Sequence, residues 1–137
     1  MIKLLSIAVV AYSILFFGVN AMADQKCKDV NIKVKNEYGK KILVTKINYR
    51  DKEDKRWRDN ELSNTEVSNG KTGTIEETLE YVGNENIPKM QVQFRYKEDD
   101  GDWSDRQWSN VTTGLGGNRC ERFDDYNITV TSVGNKQ

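Results

Sequence analysis

Five segments of this chain alternate apolar and polar residues with a period of two, and that pattern restricts the fold more than any other feature. VNIKV (30–34) sets Val30, Ile32 and Val34 on one face, with Asn31 and Lys33 on the other. LVTKINY (43–49) groups Leu43, Thr45, Ile47 and Tyr49 against Val44, Lys46 and Asn48. TIEETLEYV (74–82) turns Ile75, Leu79 and Tyr81 one way and Glu76, Thr78 and Glu80 the other. KMQVQFRYK (89–97) is the cleanest, with Met90, Val92, Phe94 and Tyr96 inward and Gln91, Gln93 and Arg95 outward. YNITVT (126–131) adds Tyr126, Ile128 and Val130. Strands of this kind have one dry face and one wet face, and no segment beyond the N-terminal leader has a convincing helical period.

Turn chemistry separates these segments: NEYGK, DKEDKR, SNGKTG, GNENIP, EDDGD and TGLGGN. Glycine and asparagine supply the positive φ that tight turns require, and charged residues keep such turns in water. Strands joined by short polar turns point to an all-β antiparallel sandwich of seven or eight strands. Short strands around Trp57 and Trp103 are included in that number. An immunoglobulin-like arrangement is expected, with a small β-barrel as the alternative.

The N-terminal 23 residues read as a secretory signal peptide rather than as part of the domain. Lys3 precedes an apolar stretch over residues 4–19, and the segment ends on AMA, with small residues Ala21 and Ala23 at the cleavage positions. A membrane anchor fits less well, because the run is short, is interrupted by Ser6, Tyr12, Ser13 and Gly18, and stops at small residues. Cleavage near Ala23 leaves one domain over residues 24–137, secreted or periplasmic. Without Lys3 that domain has 20 basic and 21 acidic residues, a formal charge of −1. Near-neutrality argues against nucleic acid or an anionic membrane as the main partner, since both reward a positive excess. Cys27 and Cys120 form an even pair in an exported chain and are expected to be disulfide-bonded.

The chemistry-bearing stretch is YKEDDGDWSDRQWSN (96–110), with five carboxylates and two tryptophans. Its EDDGD segment has oxygen ligands for calcium in Glu98, Asp99, Asp100 and Asp102, but lacks the spacing and terminal glutamate of an EF-hand loop. A hairpin turn with Gly101 at positive φ explains it more simply. WSDRQWSN (103–110) echoes WRDNELSN (57–64) at an offset of 46, and each copy follows a strand that ends in tyrosine and then a charged turn. Two related hairpins are therefore expected, with Trp57 and Trp103 as structural counterparts. In an ideal strand Trp103 and Trp108 point to opposite faces, and core packing of all three tryptophans is the simpler reading. An exposed Trp108 would instead offer a platform for a sugar ring or a protein hot spot.

Catalysis has little to work with. The chain contains no histidine, the usual general base near neutral pH. A disulfide leaves no thiolate nucleophile, and carboxylates at hairpin tips lack the burial that tunes a glycosidase pair. No catalytic residue, metal site or cofactor is assigned. The expected function is an exported, non-catalytic binding protein that engages another protein through charged loops, for example as a periplasmic inhibitor or immunity-type protein. Asp99, Asp100, Asp102 and Trp108 are the candidate binding residues. The alternatives are a lectin-like glycan-binding module using an exposed tryptophan and a secreted membrane-active module. The latter suits the flanking carboxylates poorly.

Overall fold

A computed structural model describes residues 27–50, 52, 55–80, 82, 86–115 and 119–137. The signal-peptide segment and Tyr81 therefore lie outside the described residues. Those described contain no helix and nine strands, in two sheets packed face to face as a β-sandwich. In chain order the strands are β1 (Val30–Asn36), β2 (Ile42–Arg50), β3 (Trp57–Val67), β4 (Thr72–Glu77), β5 (Lys89–Tyr96), β6 (Gln107–Ser109), β7 (Thr112–Thr113), β8 (Asp125–Val130) and β9 (Val133–Gly134). The smaller sheet runs β4-β1-β8, and the larger runs β3-β2-β5-β6-β9, with β7 paired to β5. All pairings are antiparallel except β1 with β8, which is parallel.

The core lies between the inner faces. Val30, Ile32 and Val34 of β1, Ile75 of β4, and Tyr126, Ile128 and Val130 of β8 meet Met90, Val92 and Phe94 of β5 across it. Each fully buried large apolar side chain contributes roughly 1.5–3 kcal/mol, so register errors on these strands are costly. Tyr49 is also fully buried, and its hydroxyl donates to the Glu80 carbonyl at 2.8 Å.

Strand β2 departs from the simple alternation. Its register against β3 and β5 shifts between Val44 and Lys46. Thr45 is the extra residue relative to β5, with its hydroxyl 3.0 Å from the Gln93 side-chain oxygen, to which it donates. A bulge of this kind moves the buried set from one parity to the other. Ile42 and Val44 face the core before it, and Ile47 and Tyr49 after it, while Leu43 is on the outer side and only half-buried. The expected inward set of Leu43 and Thr45 is thus corrected. β1 and β2 do not pair with each other, because the turn through Gly39 carries the chain from one sheet to the other.

A second feature beyond local pattern is the C-terminal segment. After β9 pairs with β6, residues 135–137 cross the outer face of the larger sheet. There the Gln91 amide donates to the carbonyls of Ser109 (2.9 Å) and Asn135 (3.1 Å) and accepts from the Gln137 backbone N–H (2.9 Å). Asn48 donates to the Gln91 side-chain oxygen at 3.0 Å. Gln91, expected to be outward and wet, is outward and fully buried.

Cys27 and Cys120 are joined, with 93 residues of sequence separation and Cα atoms 5.2 Å apart. Both are buried and tie the entry of β1 to the approach of β8. A disulfide fits an extracellular or periplasmic location. Closing so long a loop restricts the unfolded chain severely, by about 4–5 kcal/mol in the chain-entropy account. The Cys27→Ser/Cys120→Ser variant is therefore expected to lose about 4–5 kcal/mol in urea unfolding. A loss below ~1 kcal/mol would show that the staple acts otherwise than through the unfolded chain.

Candidate functional site

The acidic stretch is a hairpin loop at one end of the sandwich. The Gly101 N–H donates to the Glu98 carbonyl (3.1 Å), and the Glu98 N–H to the Asp102 carbonyl (2.8 Å). Gly101 sits at φ +92°, in the left-handed region that closes a loop of this type. Asp100 folds its carboxylate back to accept the Asp102 N–H at 2.9 Å. Asp99, Asp100 and Asp102 are exposed, the Asp99 side chain 99% so, and Glu98 is half-buried. Among the described residues no group of three or more His, Cys, Asp or Glu side chains is arranged to hold a metal ion.

A neighbouring turn completes this end. Asn36, fully buried, donates through its side-chain amide to the carbonyls of Lys40 and Val67, both at 2.8 Å, and accepts the Tyr38 N–H at 3.0 Å. Those bonds fix residues 37–41 beside the acidic loop. Tyr38 packs edge-on against Phe94, with centroids 5.1 Å apart, and tilts over Tyr96 at 5.3 Å. Burial, and then the neighbouring Tyr96, push the Tyr38 hydroxyl pKa up, with Lys40 opposing, so the ring stays neutral at physiological pH. The Lys40 ammonium lies 5.5 Å from the Tyr96 ring centroid and 3.3 Å from an Asp99 oxygen. Together Lys40, Tyr96, Glu98, Asp99 and Asp100 line an open cleft of about 320 Å³. Tyr38, Lys40 and Tyr96 were not among the sequence candidates. The signal that could have found them is the placement of NEYGK and EDDGD, turns that only the sheet topology brings together.

Trp108 is not part of this cleft, so the four candidate residues do not form one site. The expected hairpins are present: Trp57 pairs with Arg50, and Trp103 with Lys97, in each case the residue after the strand's tyrosine. Trp57 begins an 11-residue strand rather than a short one, whereas Trp103 makes a single bridge. Trp108 pairs with Gln93. From Lys97 to Gln93 the β5 strand advances four residues while its partner advances five, so the partner has one residue extra. Ser104 absorbs it: it is buried, its hydroxyl accepts the Tyr96 N–H at 2.9 Å, and its own N–H donates to the Tyr96 carbonyl. Trp103 and Trp108 consequently share the outer face instead of pointing oppositely. Trp57, opposite the outward Arg50, is on that face too. None of the three belongs to the buried core, and all are half-buried.

The opposite end of the sandwich carries another feature without a sequence signal. Phe123 is 61% exposed and adopts φ +69°, a conformation costing a non-glycine residue roughly 1–2 kcal/mol. Its turn is held by the nearby disulfide, by the Glu121 N–H donating to Asp124 (2.8 Å), and by the Arg122–Asp29 ion pair (2.8 Å). The Arg122 guanidinium stacks 4.7 Å from the Phe123 ring centroid.

Comparison with protein-family models, curated proteins and solved structures found no match to the chain.

The turn geometry makes opposite demands on glycine and on the acids. Gly101→Ala forces a side chain into the left-handed region and is expected to cost about 1–2 kcal/mol. Replacing Asp99, Asp100 and Asp102 together with Asn should change stability by under about 0.5 kcal/mol, with or without excess calcium, in thermal unfolding. A calcium-dependent midpoint that disappears in the triple variant would show that the loop binds the ion.

Proposed function

We propose that this chain is an exported, non-catalytic binding protein whose partner is another protein, engaged at the end of the sandwich formed by residues 37–41 and 98–102. The observation that carries the reading is the juxtaposition of exposed carboxylates with the Tyr96 ring, itself backed by Tyr38, around one open cleft. Aromatic rings and flanking charges are the side chains that dominate protein contacts, the rings by area and the charges by steering and register. Lys40 already shows the interaction in cis, because it satisfies Asp99 and the Tyr96 face together. A lysine or arginine of a cationic partner would meet Glu98, Asp100 and Asp102, which have no ion-pair partner among the described residues. An inhibitor or immunity-type protein covering a cationic active site uses the same complementarity.

Two features support export. The N-terminal segment has the order of a signal peptide, and the buried disulfide requires an oxidising compartment to form and persist. The absence of histidine and the solvent exposure of the loop acids favour binding over catalysis.

Intact-mass measurement of the exported protein should give a chain that starts at Asp24 and lacks two thiol protons. Affinity capture on that protein should then retain a protein in stoichiometric amount, released by salt and lost with the Asp99→Asn/Asp100→Asn/Asp102→Asn variant. A partner retained equally by the variant would move the contact away from this end.

A further inference from the structure

We infer that the outer face of the larger sheet carries a second binding site, for an anionic polysaccharide, on the strip from Trp103 to Trp108. This site is separate from the acidic cleft and stands whether or not that cleft binds a protein.

Geometry supplies the first argument. Trp103 and Trp108 lie on one face, opposite Lys97 and Gln93, four β5 residues apart. At about 3.3 Å per residue that separation is about 13 Å, the length of a few linked pyranose rings. Both rings are half-exposed, and aromatic faces on a flat sheet match the C–H faces of such sugars. Between them Arg95 is fixed in place, with Nε donating to the Ser104 carbonyl (2.7 Å) and Nη2 to the Trp103 carbonyl (3.3 Å).

Charge supplies the second. Each tryptophan of the strip has a lysine against it: the Lys97 ammonium, without a carboxylate partner among the described residues, is 4.8 Å from the Trp103 centroid, and that of Lys136, which is shared with Asp59, is 5.3 Å from Trp108. The outward row of β5, Lys89, Gln91, Gln93 and Arg95, continues into Lys97 just beyond it and contains no acid. The acids elsewhere on this face are already matched, since Asp59 pairs with Lys136 (2.6 Å), Glu61 with Lys46 (2.6 Å) and Glu66 with Lys41 (3.7 Å). Arg95 and Lys97 have no carboxylate partner among the described residues. Glu98, Asp102 and Asp105 border Trp103 along the chain and mark the end at which a polyanion must stop. A sugar that presents a C–H face and an acidic group side by side would meet a tryptophan and a cation side by side.

Affinity electrophoresis of the full exported protein tests this with three polymers: polygalacturonate for carboxylates, dextran sulfate for sulfates, and uncharged dextran. One or both anionic polymers should retard the protein, distinguishing the acidic group, while dextran should not. Lys97→Ala and Trp103→Ala should each weaken retardation about five-fold or more. Lys35→Ala, on the outer face of the smaller sheet, should leave it unchanged. Trp108→Phe, which keeps an aromatic ring, gives a fluorescence control: binding should persist while the emission change on titration shrinks. Circular dichroism identifies any variant that fails to fold, and Lys97→Ala, at a surface side chain, keeps the test open if Trp103→Ala does. Three results overturn the inference: no retardation by either polyanion, equal retardation by dextran, or polyanion binding unaffected by loss of Trp103 and Lys97.

Discussion

The pairing of β2 with β5 at the centre of the larger sheet, broken by one bulge at Thr45, determines what every other surface presents. On the Ile42 side of the bulge the even-numbered apolar residues of β2 face the core, and on the Tyr49 side the odd-numbered ones. If β2 ran without the extra residue, one half of it would turn its apolar side chains to water. Exposing Ile47 and Tyr49 would forfeit roughly 1.5–3 kcal/mol each, against the small disruption of one unpaired residue. The Thr45 hydroxyl, bonded to Gln93, helps hold the bulge. Because β3 and β6 take their registers from β2 and β5, the same pairing assigns Trp57, Trp103 and Trp108 to the outer face.

The two ends of the sandwich are built by different means. At the acidic end a single buried side chain, Asn36, bonds three backbone groups and so fixes both the β1–β2 turn and the end of β3. At the other end a disulfide, an ion pair and a turn with Phe123 in the left-handed region hold the chain. Buried amides with all their bonds made and covalent links serve the same purpose, removing freedom from loops that a sheet alone leaves mobile. In the proposed protein contact, that rigidity reduces the ordering cost of binding.

The sequence was most legible where a strand is regular and one-sided. Strands β1 and β8 bury the residues that their alternation indicates, β5 does so except at half-buried Tyr96, and EDDGD folds as the glycine-closed loop its composition implies. Bulges defeated the reading elsewhere, because one extra residue leaves no mark on composition yet inverts the face of everything beyond it. That is why Leu43 and Val44 exchange places, and why Trp103 and Trp108, odd-spaced in sequence, end on the same side. Gln91 was misjudged for a different reason. Its burial comes from residues 135–137, more than forty positions away, and a polar residue covered by a backbone strap resembles a solvated one in any local window. The cleft was invisible in the same way, since Tyr38, Lys40 and Asp99 become neighbours only through the order of strands.

Cation–aromatic pairs recur on this surface: Lys40 with Tyr96, Lys97 with Trp103, Arg122 with Phe123 and Lys136 with Trp108. Each is worth only about 0.5–1 kcal/mol at an exposed site, too little to explain the fold and enough to bias a side chain. A lysine lying on a ring has already given up part of its rotamer freedom, so an arriving anion meets a charge with less left to order. Lys97, alone of the four without an ion-pair partner among the described residues, can turn toward such an anion and leave the Trp103 face open. The Lys97–Trp103 pair suits reversible recognition better than a salt bridge would, because an ion pair must be broken before its cation can serve a ligand. The same logic separates the two proposed surfaces: at the acidic end the resident cation marks where a partner's cation would go, whereas on the sheet the resident cations are themselves what a ligand's anions would meet.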